Sequence, residues 1–363
     1  MSRLTSAATM NELKVVFMGT AELSCASLQA LANDKQYCVA AVVTQPDRPK
    51  GRELKLLPSP VKVLAQQLGL PVLQPARIRA EEFINDLWGL APELMVVAAY
   101  GQILPQAILD LPRYGCLNVH TSLLPKYRGA APIQWAIAHG DTETGVTIMK
   151  MDAGLDTGPV VAQRRTPIQP EDDSATLHDL LGRIGAELLV QTIPDYVAGK
   201  VTPRPQPAAG VSLAPKIKKE DGRIDWNLPA RAIRNRLRAF TPWPGVFTHL
   251  SRMTEGKASS APRALEGRGG DEAPPSGMIK IWKTEVLEGS GDREGSPGIT
   301  SAGPFGEVTL PGTILSADKG GILVACGQDE LRILELQREG GRRMGAAEFL
   351  AGHPLKAGER FER

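Results

Sequence analysis

Asn118 and His120 close the apolar segment GCLNVH, and Asp156 follows in the glycine-rich stretch MDAGLDTG. Residues two apart on a strand point to the same side, so the amide and the imidazole face one space. An amide N–H can donate to a developing oxyanion, and an imidazole can stabilise that charge or move a proton. A carboxylate nearby favours the charged ring, fixes its orientation and accepts a proton from an attacking amine. This set suits acyl transfer. Ser122 comes two residues after His120, but no G-x-S-x-G elbow surrounds it, so direct transfer without a covalent enzyme intermediate is the preferred route. Spacing alone leaves another reading open, in which His120 is a capping or surface residue at a strand end. His139 falls in a helical pattern and reads as structural, while His178, His249 and His353 have no motif context.

The elements that must position these groups alternate. Apolar runs at 14–19, 38–44, 71–74, 93–100 and 115–120 read as strands, and 22–32, 59–68, 79–89, 130–139 and 174–198 as helices, the last opened by Asp173-Ser174 as a cap. Continuous apolar strands between helices predict a Rossmann-like, doubly wound parallel sheet covered on both faces. Such sheets bind ligands at the carboxyl ends of their strands, where GCLNVH ends. The first turn reads Gly19-Thr20-Ala21-Glu22, with no G-x-G-x-x-G, and no Walker A occurs. The fold therefore carries no written phosphate cradle, and a dinucleotide dehydrogenase is disfavoured. After 215, short strand-like pieces separated by Gly, Pro, Asp and Ser predict a small all-β, OB-like barrel.

A chain of 363 residues divides into two domains on this pattern. The expected boundaries are a disordered extension at 1–13, a catalytic domain at 14–199, a Pro-rich linker at 200–214 and a barrel at 215–363. Low-hydrophobicity insertions fall at 252–276 and 288–306. The extension lacks the apolar core of a secretion signal, and no run is long enough to span a bilayer. Cys25, Cys38, Cys116 and Cys326 form no C-x-x-C or zinc spacing. Three lie in apolar runs, where a buried free thiol is expected, which fits a reducing cytoplasm. Net charge is only +2, yet 216–238 holds eight basic residues against three acids. With the basic loop Asp47–Lys62 and the pair Arg342–Arg343, this raises the odds of a polyanionic partner.

NVHTSLLPKYRGAAPIQW (118–135) and GLDTG (154–158) closely resemble the folate-dependent formyltransferases. The similarity extends through VVFMGT (15–20), VVTQPDRPKGR (42–52), LLPSPVK (56–62), VVAAYGQILP (96–105), ETGVTIMKMDAGLDTGPV (143–160), RIDWN (223–227), RLRAFTPWP (236–244) and PGTIL (311–315). It covers nearly the whole chain from about residue 14 and is narrowest toward the members that act on a charged tRNA. The resemblance implies formyl transfer from 10-formyltetrahydrofolate, through a tetrahedral intermediate, to the α-amine of initiator methionyl-tRNA. The cysteine usage places the protein in the cytoplasm, and a monomer is expected because nothing in the sequence suggests an obligate oligomer. It implies Asn118, His120 and Asp156 as catalytic residues, Ser122, Leu123, Leu124 and Pro125 as folate contacts, and no metal. It also implies that the loop carrying Arg48, Lys50, Arg52 and Lys55 enters the tRNA acceptor arm. The barrel would contribute a basic surface with Lys216 and Lys218, joined by Lys219, Arg342 and Arg343. Glu53 departs from a usually more basic loop, and the 252–276 insertion is longer than the usual hairpin. Sugar-amine and glycinamide-ribonucleotide formyltransferases, and a formyltetrahydrofolate hydrolase, share the N-x-H and Asp pattern. The 45–62 loop and the basic C-terminal region argue against them. A tRNA-binding module with a decayed enzyme domain is opposed by the intact catalytic set.

Overall fold

The computed structural model describes residues 12–50, 55–251, 277–288, 300–302 and 308–362. Residues 1–11 of the expected extension, Arg52 and Glu53, the 252–276 insertion and most of 288–306 lie outside the described residues. The chain forms two compact units: 1–136 with 141–216, and 137–140 with 217–363.

Up to residue 216 the described chain runs β1 (Leu13–Gly19), α1 (Leu23–Asn33), β2 (Tyr37–Val43), β3 (Arg48–Lys50), β4 (Lys55–Leu57), α2 (Pro60–Gln67), β5 (Val72–Leu73), α3 (Glu81–Leu90), β6 (Leu94–Ala98), α4 (Gln106–Leu109), β7 (Cys116–His120), β8 (Arg128–Gly129), α5 (Pro132–Ala138), β9 (Glu143–Lys150), β10 (Val160–Pro167), α6 (Ser174–Val197) and β11 (Leu213–Ala214). The main sheet has the order β10-β9-β7-β6-β1-β2-β5. β1, β2, β5, β6 and β7 are parallel, as the alternation predicts. β9 and β10 extend the sheet antiparallel and were not anticipated. β10 carries Arg164 and Arg165 at the sheet edge, so it lacks the continuous apolar run that marks a central strand.

Both faces are covered. Val16, Met18, Met95, Val97 and Cys116 pack with Phe83 and Leu87 of α3 and Ile108 and Leu109 of α4. The opposite face takes α6, where Gly185 is so close that a β-carbon would stand 2.8 Å from Val119 Cγ1. α6 begins with the expected cap: Asp173 Oδ1 accepts from the amides of Ala175 and Thr176, both at 2.9 Å. One expectation fails. Cys38 lies in an apolar run but is exposed, because it falls near the start of β2, before the pairing with β5 that begins at Val42.

The second unit holds α7 (Ala230–Phe240), β12 (Val246–Ser251), β13 (Met278–Leu287), β14 (Thr300–Ala302), β15 (Val308–Thr309), β16 (Ile314–Asp318), β17 (Gly321–Ala325), β18 (Glu330–Arg338), β19 (Met344–Gly345), α8 (Ala346–Gly352) and β20 (Arg360–Glu362). Its antiparallel sheet runs β16-β17-β18-β13-β12-β20. Ile314 N donates to the Glu359 carbonyl at 2.8 Å and Phe361 N to Gly312 at 2.9 Å, joining the two ends into a barrel. The sheet is thereby nearly closed, which protects edges that would otherwise template aggregation. Trp226 stacks on Phe361 inside, with centroids 5.6 Å apart, and donates to Thr248 Oγ1 at 3.1 Å.

Candidate active site

On β7 the alternation sends Leu117 and Val119 toward the α6 face. Asn118 and His120 go to the other side, in line with Cys116. All five residues of the strand are buried. The β9–β10 connection brings in the third group: Asn118 Nδ2 lies 3.4 Å from Asp156 Oδ1, and His120 Nδ1 lies 3.7 Å from Asp156 Oδ2. The three side chains expected from the sequence therefore meet.

Backbone groups orient them. His120 Nε2 is 2.9 Å from the Tyr127 carbonyl. A carbonyl only accepts, so Nε2 carries a proton and Nδ1 is the nitrogen turned toward Asp156. Asp156 Oδ2 accepts from Gly129 N at 2.8 Å. Tyr127 and Asp156 both adopt positive φ, 62° and 51°, a conformation that disfavours side chains and persists only where surroundings enforce it. Gly129 (φ 122°) presses against β11, and a β-carbon there would stand 2.7 Å from the Ala214 carbonyl oxygen. Gln206 donates to the carbonyls of Asp156 and Gly158, both at 2.8 Å, and accepts from Arg128. Gln206 sits in the segment expected to be a linker, and nothing in that Pro-rich stretch signals its role.

The three groups open into a cavity of about 600 Å³ at the carboxyl edge of the sheet. It lies beside the point where chain order reverses between β1 and β6, the usual ligand position in such sheets. Its walls come from Ala21 after β1, residues 99–104 after β6, 129–134, and 151–156. Val97, Leu104, Ile133 and Met151 supply apolar surface, and His178 of α6 stands at its margin. No local pattern marks His178 or the 99–104 loop as part of a site, although the loop lies within the family-like segment VVAAYGQILP.

Ser122, Leu123, Leu124 and Pro125 do not line this cavity. Ser122 is fully buried and donates to the Lys126 carbonyl at 2.6 Å. The turn is braced by buried Thr147 of β9, which accepts from Leu124 N at 3.1 Å and from Gln163 at 2.9 Å, and donates to the Ser122 carbonyl at 2.6 Å. These residues shape the segment between His120 and Tyr127 from behind.

The basic candidates divide. Arg48 is exposed and donates to Gln45 Oε1 at 3.2 Å. In the β3–β4 hairpin the register sets Lys50 opposite Lys55, and Leu56 and Leu57 are exposed. The neighbouring acid is already engaged: hydrogen bonds from Lys62 (2.7 Å) and Gln74 (2.8 Å) hold the Asp47 carboxyl below its ordinary range. Lys216 and Lys218 are exposed. Arg342 pairs with Glu348, and Arg343 with Glu335 at 2.6 Å. Among the described residues no group of three or more His, Cys, Asp or Glu is placed to hold a metal, and no helix is long and apolar enough to cross a membrane.

Residues 13–193 match the formyl transferase family, and residues 216–354 match the formyl transferase C-terminal domain, which defines the class. A methionyl-tRNA formyltransferase of Citrifermentans bemidjiense is 45% identical over 349 residues, 96% of each chain. Another from Myxococcus xanthus is 46% identical, covering 96% of this chain and 98% of that one. This chain belongs to the methionyl-tRNA formyltransferase family. Solved structures share the fold at low identity. WlaRD, a sugar 3N-formyl transferase solved with dTDP and 5-N-formyl-THF, has a TM-score of 0.56 at 15% identity, covering 89% of this chain and 97% of that one. HypX from Aquifex aeolicus with tetrahydrofolic acid has a TM-score of 0.52 at 14% identity over 97% of this chain; the chain spans about half of HypX, 51%.

Proposed function

We propose that this protein transfers the formyl group of 10-formyltetrahydrofolate to the α-amine of methionine on initiator methionyl-tRNA. The observation that carries the reading is the convergence of Asn118, His120 and Asp156 on one cavity at the carboxyl edge of the sheet. The cavity suits a flat heteroaromatic cosubstrate. Val97, Leu104, Ile133 and Met151 offer apolar faces, and the backbone of the 99–104 and 151–156 loops offers polar edges. When bound, the folate supplies the formyl carbon.

The chain's own groups then have distinct tasks. Asn118 retains an N–H beyond its long contact to Asp156 and donates to the formyl oxygen as negative charge builds there. His120 presents Nδ1, whose lone pair can take a proton from the attacking amine. Once protonated, Nδ1 donates to the same oxygen or passes the proton to the departing nitrogen. Asp156 lies close enough to steady the positive ring and is fixed by Gly129 N. No nucleophilic serine or cysteine is required, so acyl transfer is direct. Ser122, Leu123, Leu124 and Pro125 hold the wall behind His120. Arg48, Lys50, Arg52 and Lys55 on the hairpin loop, with Lys216 and Lys218, meet phosphates of the tRNA. The protein works as a monomer in the cytoplasm, with a catalytic domain at 14–199, a connecting segment at 200–214 and a tRNA-binding barrel at 215–363.

The test is a formylation assay with 10-formyltetrahydrofolate offered to charged initiator tRNA, uncharged tRNA and free methionine. Product on the charged tRNA alone is expected. Transfer to free amines, or release of formate with no product on tRNA, would defeat the reading.

A further inference from the structure

Two tryptophans are exposed, and their surroundings differ. Trp88 is 66% exposed on α3, whose charged residues are Glu81, Glu82 and Asp86. Trp243 is 58% exposed in the second unit, in the TPWPG turn (241–245) between α7 and β12, whereas Trp226 is 1% exposed in the barrel core. The TPWPG turn is firmly seated. Gly245 N donates to the Phe240 carbonyl at 2.9 Å. A β-carbon on Gly222 would stand 2.1 Å from the Gly245 carbonyl oxygen and 3.2 Å from Pro244 Cγ. Arg223 forms a backbone bridge with Phe247, and Arg236 donates to the Asp221 carbonyl at 2.7 Å. The short 3-10 turn Lys219–Gly222 and the TPWPG turn therefore share one surface. Lys218, Lys219 and Arg223 are exposed there. Glu220 is exposed among them, while the Asp221 carboxylate accepts from Lys218 N at 2.7 Å.

An exposed indole face stacks on a nucleobase of any sequence, and cations beside it meet the phosphates that flank the base. Trp88, set among acids, has only the first half of that arrangement. Bases within a duplex already have both faces stacked, so the partner must be unpaired. We propose that Trp243 is a stacking platform for one unpaired base of the RNA acceptor, with Lys218, Lys219 and Arg223 meeting the adjoining phosphates. The inference rests on the reading of the acceptor as a tRNA.

The test compares Trp243→Ala and Trp243→Phe in the full chain. The alanine variant should raise KM for charged initiator tRNA about 10- to 100-fold, the loss of one stacked base. Its KM for 10-formyltetrahydrofolate and its kcat at saturating tRNA should stay at the wild-type values. Phenylalanine, which keeps an aromatic face, should restore most of the loss. Uncharged initiator tRNA should quench a component of the wild-type tryptophan fluorescence that Trp243→Phe lacks. An unchanged tRNA KM in the alanine variant, or equal quenching in wild type and Trp243→Phe, overturns the platform. If the alanine variant does not fold, the fluorescence comparison decides alone. If the wild type makes no formylated product yet uncharged tRNA still quenches Trp243, the reaction reading fails and the platform stands.

Discussion

The cavity face of the first unit and the β3–β4 hairpin both carry polar side chains, and they use them in opposite ways. At the end of β7, Asn118 and His120 are buried, and their polar atoms are turned to Asp156 and the Tyr127 carbonyl. Left-handed backbone at Tyr127 and Asp156 is held in place to deliver those contacts. On the hairpin, Arg48 is exposed and the nearby acid is tied down by Lys62 and Gln74. The first arrangement spends stability on fixed geometry, which governs rate. The second leaves positive charge available to solvent, which governs affinity and its response to salt. Substitutions on the two should therefore separate into effects on kcat and effects on KM.

The largest effect is expected at the buried set. Asn118→Ala removes a donor to the developing oxyanion and should lower kcat by about 10²–10³. His120→Ala should fall in the same range or below it, since it removes the proton carrier as well. Far-UV circular dichroism and the melting temperature should remain close to wild type. The double variant Asn118→Ala with Asp156→Asn should fall short of the sum of the singles, because the two side chains contact each other. A kcat within threefold of wild type for Asn118→Ala would erase the distinction between the two regions.

What was legible in the sequence follows the same division. The strand–helix alternation of the first unit announced its parallel strands, because continuous apolar runs and helical spacing are local signals. GCLNVH placed Asn118 and His120 on one face through the two-residue period alone. Their meeting with Asp156, 36 residues beyond His120, depends on the β9–β10 connection folding back, and no local pattern states that; similarity to known sequences did. Gln206 and Thr147 were invisible for a related reason. Each is a common polar residue whose role exists only through partners distant in sequence: Asp156 and Gly158 for one, Ser122 and Leu124 for the other. β10 escaped because an edge strand with Arg164 and Arg165 does not look like sheet interior, whereas β9 is an interior strand whose buried run Thr144–Met149 was overlooked. Cys38 misled because an apolar neighbourhood in sequence was equated with burial, and β2 is not paired to β5 at that level.

A middle-sized effect should arise just behind the site. Thr147→Val keeps the shape of the side chain and removes the oxygen that Leu124 N and Gln163 donate to. A buried amide left without an acceptor costs about 1–3 kcal/mol. At this size each kcal/mol lowers the melting temperature by about 2–4 °C. Because the 122–125 turn supports the wall behind His120, KM for 10-formyltetrahydrofolate should rise more than kcat falls. A variant with wild-type stability and wild-type folate KM would mean that the turn holds itself, and that the ordered region around the site is smaller than its hydrogen bonds suggest.

The smallest effect is expected on the hairpin and sharpens the comparison from its other side. Arg48→Gln with Lys50→Gln removes two charges from a hairpin whose described residues do not line the cavity. At saturating tRNA, kcat should be unchanged. The dependence of log KM for tRNA on log salt should flatten by about one for each phosphate no longer neutralised, so by about two in total. At low salt the loss of affinity should be plain. It should shrink as salt rises, since screening weakens the same interactions in the wild type. A double variant whose salt slope equals that of wild type would show that these side chains do not meet phosphate. A double variant with reduced kcat at saturating tRNA would show that the hairpin positions the acceptor amine at Asn118 and His120. In that case rate and affinity would no longer reside in separate parts of the first unit.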